Sequence, residues 1–140
     1  MITVTRLDIA DANVLITGAV AHAGIIGVPM CIAITDEAGQ LIAFCRMDGG
    51  KVTSTTIAID KAFTAAAAKK ATHEYGAASQ PGAPTFGISS AINGRLMIVG
   101  GGLPVIVDGA VVGGIGISSG TPDQDMAVAQ AGIDAFLKRN

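Results

Sequence analysis

The first apolar pattern along the chain is helical. From residue 3 to residue 27, the positions of one stripe recur at spacings of three and four, which predicts a helix. The stripe consists of Leu7, Ala10, Val14, Leu15, Ala19, His22 and Ile26. Thr3 or Thr5 is predicted to cap the start of this helix, and Gly27 and Pro29 are predicted to end it.

A β-hairpin is predicted next. Residues 30–35 and 40–46 are apolar, largely β-branched runs, and residues 36–39 between them read Asp-Glu-Ala-Gly. Such a segment forms a turn, because its acidic residue can bond to the backbone and its glycine can take a positive φ. The two runs are therefore expected to pair as antiparallel strands.

The two cysteines fall on this hairpin. A four-residue turn would place Cys31 opposite Phe44, so that Cys45 points to the other face of the sheet. We therefore expect two reduced cysteines and no disulfide framework.

The first eight residues show no basic region followed by an apolar one, so they do not resemble a secretory signal. Together these features predict a cytoplasmic protein.

The middle of the chain is rich in alanine and then in glycine, serine and proline. Residues 53–72 are predicted to form one Ala-rich helix, because alanine has the highest helix propensity and lets a helix approach its neighbour closely. Residues 73–94 contain Pro81, Pro84 and several glycines, which predicts a long loop. Long loops in compact domains are often functional.

The last third begins with strand-like runs. Strands are predicted at residues 96–99, 104–107 and 110–118, the last two joined by an Asp108-Gly109 turn. The glycines inside the last strand indicate a bulge or the close approach of another group. A helix over residues 121–139 is predicted from a capping-box pattern, which consists of Thr121, Pro122 and Gln124.

These elements predict one domain over residues 1–140, in the order α-β-β-α-loop-β-β-β-α. Tight hairpins require antiparallel neighbours. The predicted fold class is therefore α/β in the broad sense (α+β), with a five-stranded antiparallel sheet flanked by helices.

Composition changes the picture in one respect. Half of the 140 residues are hydrophobic and only 14% are charged, against about 25% in typical soluble domains. A homo-oligomer that buries apolar surface between copies is expected.

Residues 12–35 lack charge, but their polar residues and the Gly27-Val28-Pro29 step argue against a membrane span. A net charge of −2 and only five aromatic residues argue against nucleic-acid binding.

Residues 116–120, Gly-Ile-Ser-Ser-Gly, match the G-x-S-x-G pattern of a nucleophile elbow. No histidine follows residue 73, so a hydrolase triad is not expected. A dinucleotide fingerprint also fails, because Ser119 occupies the position of the third glycine. The backbone N–H groups of residues 119–121 could bind an anion at the helix start; the alternative is that Thr121 simply caps the helix.

Four side chains are candidates for chemistry. His22 lies on the apolar stripe of the first helix and is either a core histidine or an axial ligand or proton-transfer group. Arg46, Asp48 and Lys61 are charges among apolar neighbours, and an inward Arg or Lys could bind a carboxylate. The structural alternative is an Arg46–Asp48 or Asp60–Lys61 surface pair. The histidines and cysteines lack a zinc spacing, and no metal site is expected.

Several motifs together resemble the GlcG/HbpS family of heme-binding-like proteins, which includes the C-terminal domain of PduO-type proteins. They are Gly27-Val28-Pro29, Asp36-Glu37-Ala38-Gly39, Arg46-Met47-Asp48, Lys61-Ala62-x-Thr64-Ala65, Gly101-Gly102-x-Pro104, Asp108-Gly109-x-Val111-x-Gly113 and Gly116-x-Ser118-x-Gly120 followed by Asp125. The resemblance implies a profilin-like fold, symmetric oligomers such as a tetramer or an octamer, and heme or corrinoid-related binding in some members. It also implies a companion role beside enzymes that break down glycolate, diols and glycerol.

Three functions follow as hypotheses. In the first, the chain binds heme or a related tetrapyrrole; His22 ligates the metal, as the resemblance to the PduO-type domain implies, and Arg46 or Lys61 meets the carboxylates. Gly101, Gly102, Ser118 and the glycines of the last strand would let the ring lie near the backbone. In the second, the chain is a cofactor-independent lyase or isomerase for a small carboxylic or hydroxy acid, with Arg46 orienting the substrate and His22, Asp48 or Lys61 moving a proton. In the third, it is a scaffold without a ligand. Whether the protein is an enzyme stays open at this point.

Overall fold

The computed structural model describes residues 1–139 of the chain. Five α-helices and four β-strands follow one another, with one 3-10 turn at Ile88–Ser90. The helices are α1 (Ile9–Ile26), α2 (Ser54–Ala67), α3 (Thr72–Ala78), α4 (Ala91–Gly94) and α5 (Pro122–Leu137), and the strands are β1 (Cys31–Asp36), β2 (Leu41–Arg46), β3 (Gly102–Val107) and β4 (Ala110–Ser118).

The strands form one antiparallel sheet in the order β2-β1-β4-β3. The α+β class and the antiparallel sheet are confirmed, but the prediction of five strands was wrong. Residues 96–99 are not a strand, and the N–H of Met97 bonds to the side chain of Thr64 on α2 instead of to a neighbouring strand. The Thr64 hydroxyl accepts a hydrogen bond from the N–H of Met97 at 3.0 Å, and its one proton faces the carbonyl oxygens of Asp60 at 2.8 Å and Arg95 at 3.1 Å.

Helix α1 begins later than predicted. Asp8, not Thr3 or Thr5, is its N-cap, and the carboxylate of Asp8 accepts a hydrogen bond from the N–H of Asp11 at 2.9 Å. The carboxylate of Asp11 in turn accepts from the N–H of Asp8, which completes a capping box. The predicted end is confirmed, since Gly27 has the left-handed φ of 71° that ends many helices.

The β1–β2 hairpin forms with a register different from the predicted one. Cys31 pairs with Arg46, and Ala33 pairs with Phe44. The ladder is irregular after Ile34, and the Asp36 carboxylate accepts hydrogen bonds from two N–H groups of the turn, so β2 starts one residue later. Because the register differs by two residues, the side-chain faces are unchanged.

Both cysteines are free, as predicted. Cys31 packs on the α2 face of the sheet and Cys45 on the α1 face. Burial raises the pKa of the Cys31 thiol, which lowers its reactivity. The expectation of two cysteines on opposite faces is confirmed.

The helices cover both faces of the sheet. Helices α1 and α5 pack together on one face, over a core that includes Leu15, Ile32 and Ile115. Helix α2 lies on the other face and contacts all four strands. The predicted capping box of α5 is confirmed by reciprocal hydrogen bonds between Thr121 and Gln124.

Helix α2 approaches the sheet very closely. A Cβ atom at Gly116 would lie 2.0 Å from the carbonyl oxygen of Ala58, and a Cβ atom at Gly114 would lie 2.4 Å from that of Ala62. The predicted close approach is confirmed, and the approaching group is the backbone of α2. The space above these glycines is therefore filled by the chain itself, which corrects the idea that a flat ring lies there.

The predicted helix over residues 53–72 is divided in two. Helix α2 ends at Ala67, Lys69 has a left-handed φ of 55°, and α3 then runs through the start of the predicted loop 73–94. A left-handed residue stops the repeating geometry of an α-helix. The alanine run therefore does not continue as one helix.

Among the described residues, α1 is the one helix long and apolar enough to cross a membrane, with a mean hydropathy of 1.5. Its inner residues Ala12, Leu15, Ala19 and Ala23 are buried in the domain core. Only 22% of the helix is buried within the chain, so an apolar outer face stays exposed. Length and composition alone are weak grounds for a membrane span.

Candidate functional site

A buried ion pair connects α2 to the start of α5. The Lys61 ammonium lies 2.9 Å from the Asp125 carboxylate and donates a further hydrogen bond to the Ile117 carbonyl at 2.8 Å. The Lys61 and Asp125 side chains are 2% and 3% exposed. The second carboxylate oxygen accepts from the N–H of Gly120 at 3.0 Å. The pair thus joins α2, the end of β4 and the turn before α5.

Burial shifts both groups toward their neutral forms. It lowers the pKa of Lys61 and raises the pKa of Asp125, and the attraction between the two charges opposes both shifts. Each charge is held in a poorly solvated place mainly by the other. The inward cation that the sequence indicated therefore has a carboxylate partner within its own chain.

Gly101 and Gly102 leave room for this pair. Gly101 has a φ of 127°, and a Cβ atom there would lie 2.8 Å from the Lys61 ammonium. A Cβ atom at Gly102 would lie 2.5 Å from the Lys61 carbonyl oxygen. Ser118, another predicted binding residue, is buried and pairs with Cys31 across β1 and β4. These three residues line the packing around α2 rather than an open cavity.

The turn before α5 uses its own backbone donors. The N–H of Gly120 donates to Asp125, and the N–H of Thr121 donates to Gln124. The Ser119 hydroxyl accepts from the N–H of Lys51 at 2.9 Å, which ties the turn to the loop after β2. The capping alternative therefore explains Gly120 and Thr121, and the predicted anion site has lost two of its donors.

Arg46 and Asp48 lie in a different environment. Both are exposed, at the end of β2 and in the loop that follows it. The alternative of an Asp60–Lys61 surface pair is wrong, because Lys61 binds Asp125 and the Asp60 carboxylate accepts a hydrogen bond from Arg95 at 2.9 Å. Among the described residues, the salt bridges do not include an Arg46–Asp48 pair either. Arg46 thus stays available to a group outside the chain.

His22 is half-buried on α1, one helical turn from Gly18, which lines an apolar groove on the outer side of the helix; His22 itself is not one of the lining residues. The groove has a volume of about 350 Å³ and is lined by Asn13, Val14, Thr17, Gly18, Ala21 and Ala135. Gly18 and His22 are four residues apart and therefore lie on the same side of the helix. The groove is shallow because its walls are glycine, alanine and β-branched side chains.

The structure separates the predicted site residues into three groups. Arg46 and Asp48 are exposed at the end of β2 and in the loop after it. Lys61, Gly101, Gly102 and Ser118 belong to the buried packing around α2, whereas His22 lies on α1, which covers the opposite face of the sheet. Sequence reasoning did not assign a role to Asp125. A lysine in the middle of an Ala-rich, buried helix was the available signal, because it requires an anionic partner.

Comparisons with known proteins identify the family. The family model described as "Haem degrading protein HbpS-like" matches residues 7–134. The chain therefore belongs to the HbpS-like family, which confirms the resemblance noted from the motifs. An uncharacterized 15.0 kDa protein from the dhaT-dhaS intergenic region of Citrobacter freundii is 38% identical over 133 residues, covering 95% of this chain and 94% of that protein.

Two further relatives concern PduO. Corrinoid adenosyltransferase PduO of Salmonella typhimurium is 38% identical over 134 residues, which is 96% of this chain but 40% of that protein. This chain thus spans two fifths of the length of that relative. The crystal structure of a PduOC:heme complex superposes with a TM-score of 0.90 at 38% identity, covering 94% of this chain and 95% of that one.

Proposed function

We propose that this chain binds heme or a related tetrapyrrole, and that His22 would ligate its metal. The single observation on which the proposal depends is the half-buried His22, one helical turn from Gly18 in the apolar groove of α1. An imidazole nitrogen is a usual heme ligand, and apolar walls suit the ring. The heme complex of the related PduOC structure supports the same ligand class for this chain.

Arg46 is the proposed partner of the ligand's carboxylates. It is exposed at the end of β2 and pairs with Cys31, so it lies on the α2 face of the sheet, and the Arg46 that meets the carboxylates of a ring at His22 would come from a neighbouring copy. Guanidinium groups bind carboxylates in a bidentate way. Lys61 is less suited to this role, because its ammonium would have to leave Asp125 unpaired in the interior. Bound heme would supply the metal chemistry, and the chain would bind and orient the ring.

We further propose that the binding form is a homo-oligomer, a tetramer or an octamer. The outer face of α1 exposes Ile9 and Ile25, which are 57% and 81% exposed. The groove beside His22 is open on that same face. A second copy would cover the apolar surface and deepen the groove into a pocket.

The biological setting is also a proposal. The resemblance to GlcG and to PduO-type proteins supports a role beside the breakdown of small hydroxy acids or diols in the bacterial cytoplasm. The lyase or isomerase hypothesis needs His22, Asp48 or Lys61 beside Arg46. Lys61 is bound to Asp125, and His22 lies on α1, on the other face of the sheet from α2, so Asp48 is the one proton-transfer candidate left near Arg46. We therefore propose heme binding in preference to this reaction.

A hemin titration tests the proposal. The purified protein is titrated with hemin, and the Soret band is followed for the wild type and for His22→Ala. The chain offers a matched control, since His73 is its other histidine and is exposed on α3. We expect a saturable Soret shift that His22→Ala weakens at least tenfold, whereas His73→Ala stays within twofold of the wild type.

A groove variant makes the test sharper. Ala21→Leu places a larger side chain in the groove, and Ala77→Leu makes the same change on an exposed position of α3. Ala21→Leu should weaken hemin binding while Ala77→Leu should not. The proposal is wrong if hemin gives no saturable shift, or if both histidine variants change it equally.

A further inference from the structure

A second cavity lies at the open edge of the sheet, away from His22. It has a volume of about 400 Å³, in the range of small-ligand sites. It runs along β3 from the α2–α3 junction to the last turns of α5. Its apolar lining includes Leu103, Ile106, Ile133 and Leu137, and its cationic lining consists of Lys69 and Lys70.

The two lysines give the cavity a basic end. They follow one another between α2 and α3, where Lys69 has the left-handed φ of 55°. This conformation is uncommon for a residue with a side chain and costs conformational energy. The Lys70 ammonium lies 5.1 Å from the centre of the Tyr75 ring. Glu74 is the carboxylate within the lining, so the cations outnumber it by two to one.

The strand edge beside the cavity is a poor place for another strand. β3 pairs with β4 on one side only. Pro104 has no N–H to donate, and the β3–β4 ladder is irregular between Val105 and Ile106. Both features are ones that proteins use to prevent pairing of exposed edges. A small ligand therefore suits this edge better than a strand from a second copy.

We propose that this cavity binds an amphipathic monocarboxylate with an acyl chain of about ten carbons, a length that fits the volume class of the cavity. The acyl chain lies against Leu103, Ile133 and Leu137, and the carboxylate binds at Lys69 and Lys70. The match is one of chemistry, since an apolar surface ends at two adjacent cations. The proposal does not depend on heme binding, because the two cavities share no residue.

Decanoate is the probe for a binding titration by calorimetry, with the full chain at pH 7.4. Lys69→Gln/Lys70→Gln removes both charges, and Lys138→Gln removes an exposed lysine outside the lining. Leu137→Glu places a carboxylate at the apolar end, and Leu41→Glu makes the same change at a position of similar exposure on β2. His22→Ala tests the independence from the groove of α1.

We expect saturable decanoate binding that the double lysine variant weakens about tenfold, since exposed charge pairs each contribute modestly. Leu137→Glu should weaken it further, and the two matched controls and His22→Ala should stay within twofold. Decanol should bind more weakly than decanoate, and acetate should give no saturation. The proposal is overturned if decanoate does not saturate, if the controls weaken binding as much as the cavity variants do, or if the protein binds only phosphatidylglycerol vesicles.

Discussion

The buried pair of Lys61 and Asp125 allows a quantitative prediction. Lys61→Met removes the cation and leaves the Asp125 carboxylate in a site where its side chain is 3% exposed. Breaking a buried ion pair from one side costs about 3–5 kcal/mol, because the remaining charge is neither solvated nor paired. We therefore expect the free energy of unfolding to fall by about that amount.

The corresponding fall in Tm follows from the size of the chain. An unfolding entropy of roughly 2.1 cal/mol/K per residue gives about 0.3 kcal/mol/K for a domain of this length, so Tm should fall by roughly 10–17 °C. The measurement is denaturant and thermal unfolding at one protein concentration for every variant, since an oligomer's stability depends on concentration.

Two control variants isolate the effect of burial. Asp60→Asn breaks the Arg95–Asp60 pair, which has the same 2.9 Å separation but involves an Arg95 side chain that is 39% exposed. It should cost about 1 kcal/mol or less. The double variant Lys61→Met/Asp125→Leu removes both charges and should recover most of the loss.

The pH dependence supplies a further check of sign. Burial raises the pKa of Asp125 above its unfolded value, and Lys61→Met removes the neighbouring cation that opposes this shift. At pH values above the ordinary pKa of an aspartate, Asp125 in the folded Lys61→Met protein therefore keeps a proton that it loses in the unfolded chain. The stability difference from the wild type should shrink on acidification from pH 7.5 toward pH 5. A cost below 1 kcal/mol, equal to that of Asp60→Asn and independent of pH, would refute the reasoning.

The remaining predictions concern packing and capping. Gly116→Ala should destabilise the fold by more than about 2 kcal/mol, because the new methyl group would meet the Ala58 carbonyl oxygen, whereas Gly24→Ala, with open space around it, should stabilise α1 by about 0.5–1 kcal/mol. Equal effects of these two variants in urea unfolding would contradict the packing argument. Asp8→Ala should cost about 1 kcal/mol through loss of the N-cap, and a change in Tm no larger than that of an exposed Asp123→Ala would count against it.

The sequence predicted the elements whose signals are local. The capping box at Thr121, the left-handed Gly27 and the Asp108-Gly109 turn each depend on a few neighbouring residues, and each is found in the structure. The opposite faces of Cys31 and Cys45 were also predicted correctly, because an error of two residues in register leaves the alternation intact.

The errors arose where distant groups decide the structure. Residues 96–99 look like a strand, but the N–H of Met97 bonds to the Thr64 hydroxyl on α2 rather than to another strand. The partner of Lys61 could not be identified, because Asp125 is 64 residues away along the chain. The roles of Gly101 and Gly102 were likewise hidden, since the atoms that require them to be small belong to residues distant in the sequence, namely Ile117, Asp125, Lys61 and Thr72.

The glycines of β4 also affect the buried ion pair between Lys61 and Asp125. Because Gly114 and Gly116 set the distance between α2 and the sheet, they also set the position from which the Lys61 ammonium on α2 contacts Asp125 on α5. A methyl group added to the strand would lift the helix and stretch the ionic contact at the same time. A larger residue at either glycine is thus expected to weaken the Lys61–Asp125 contact as well as the packing of α2.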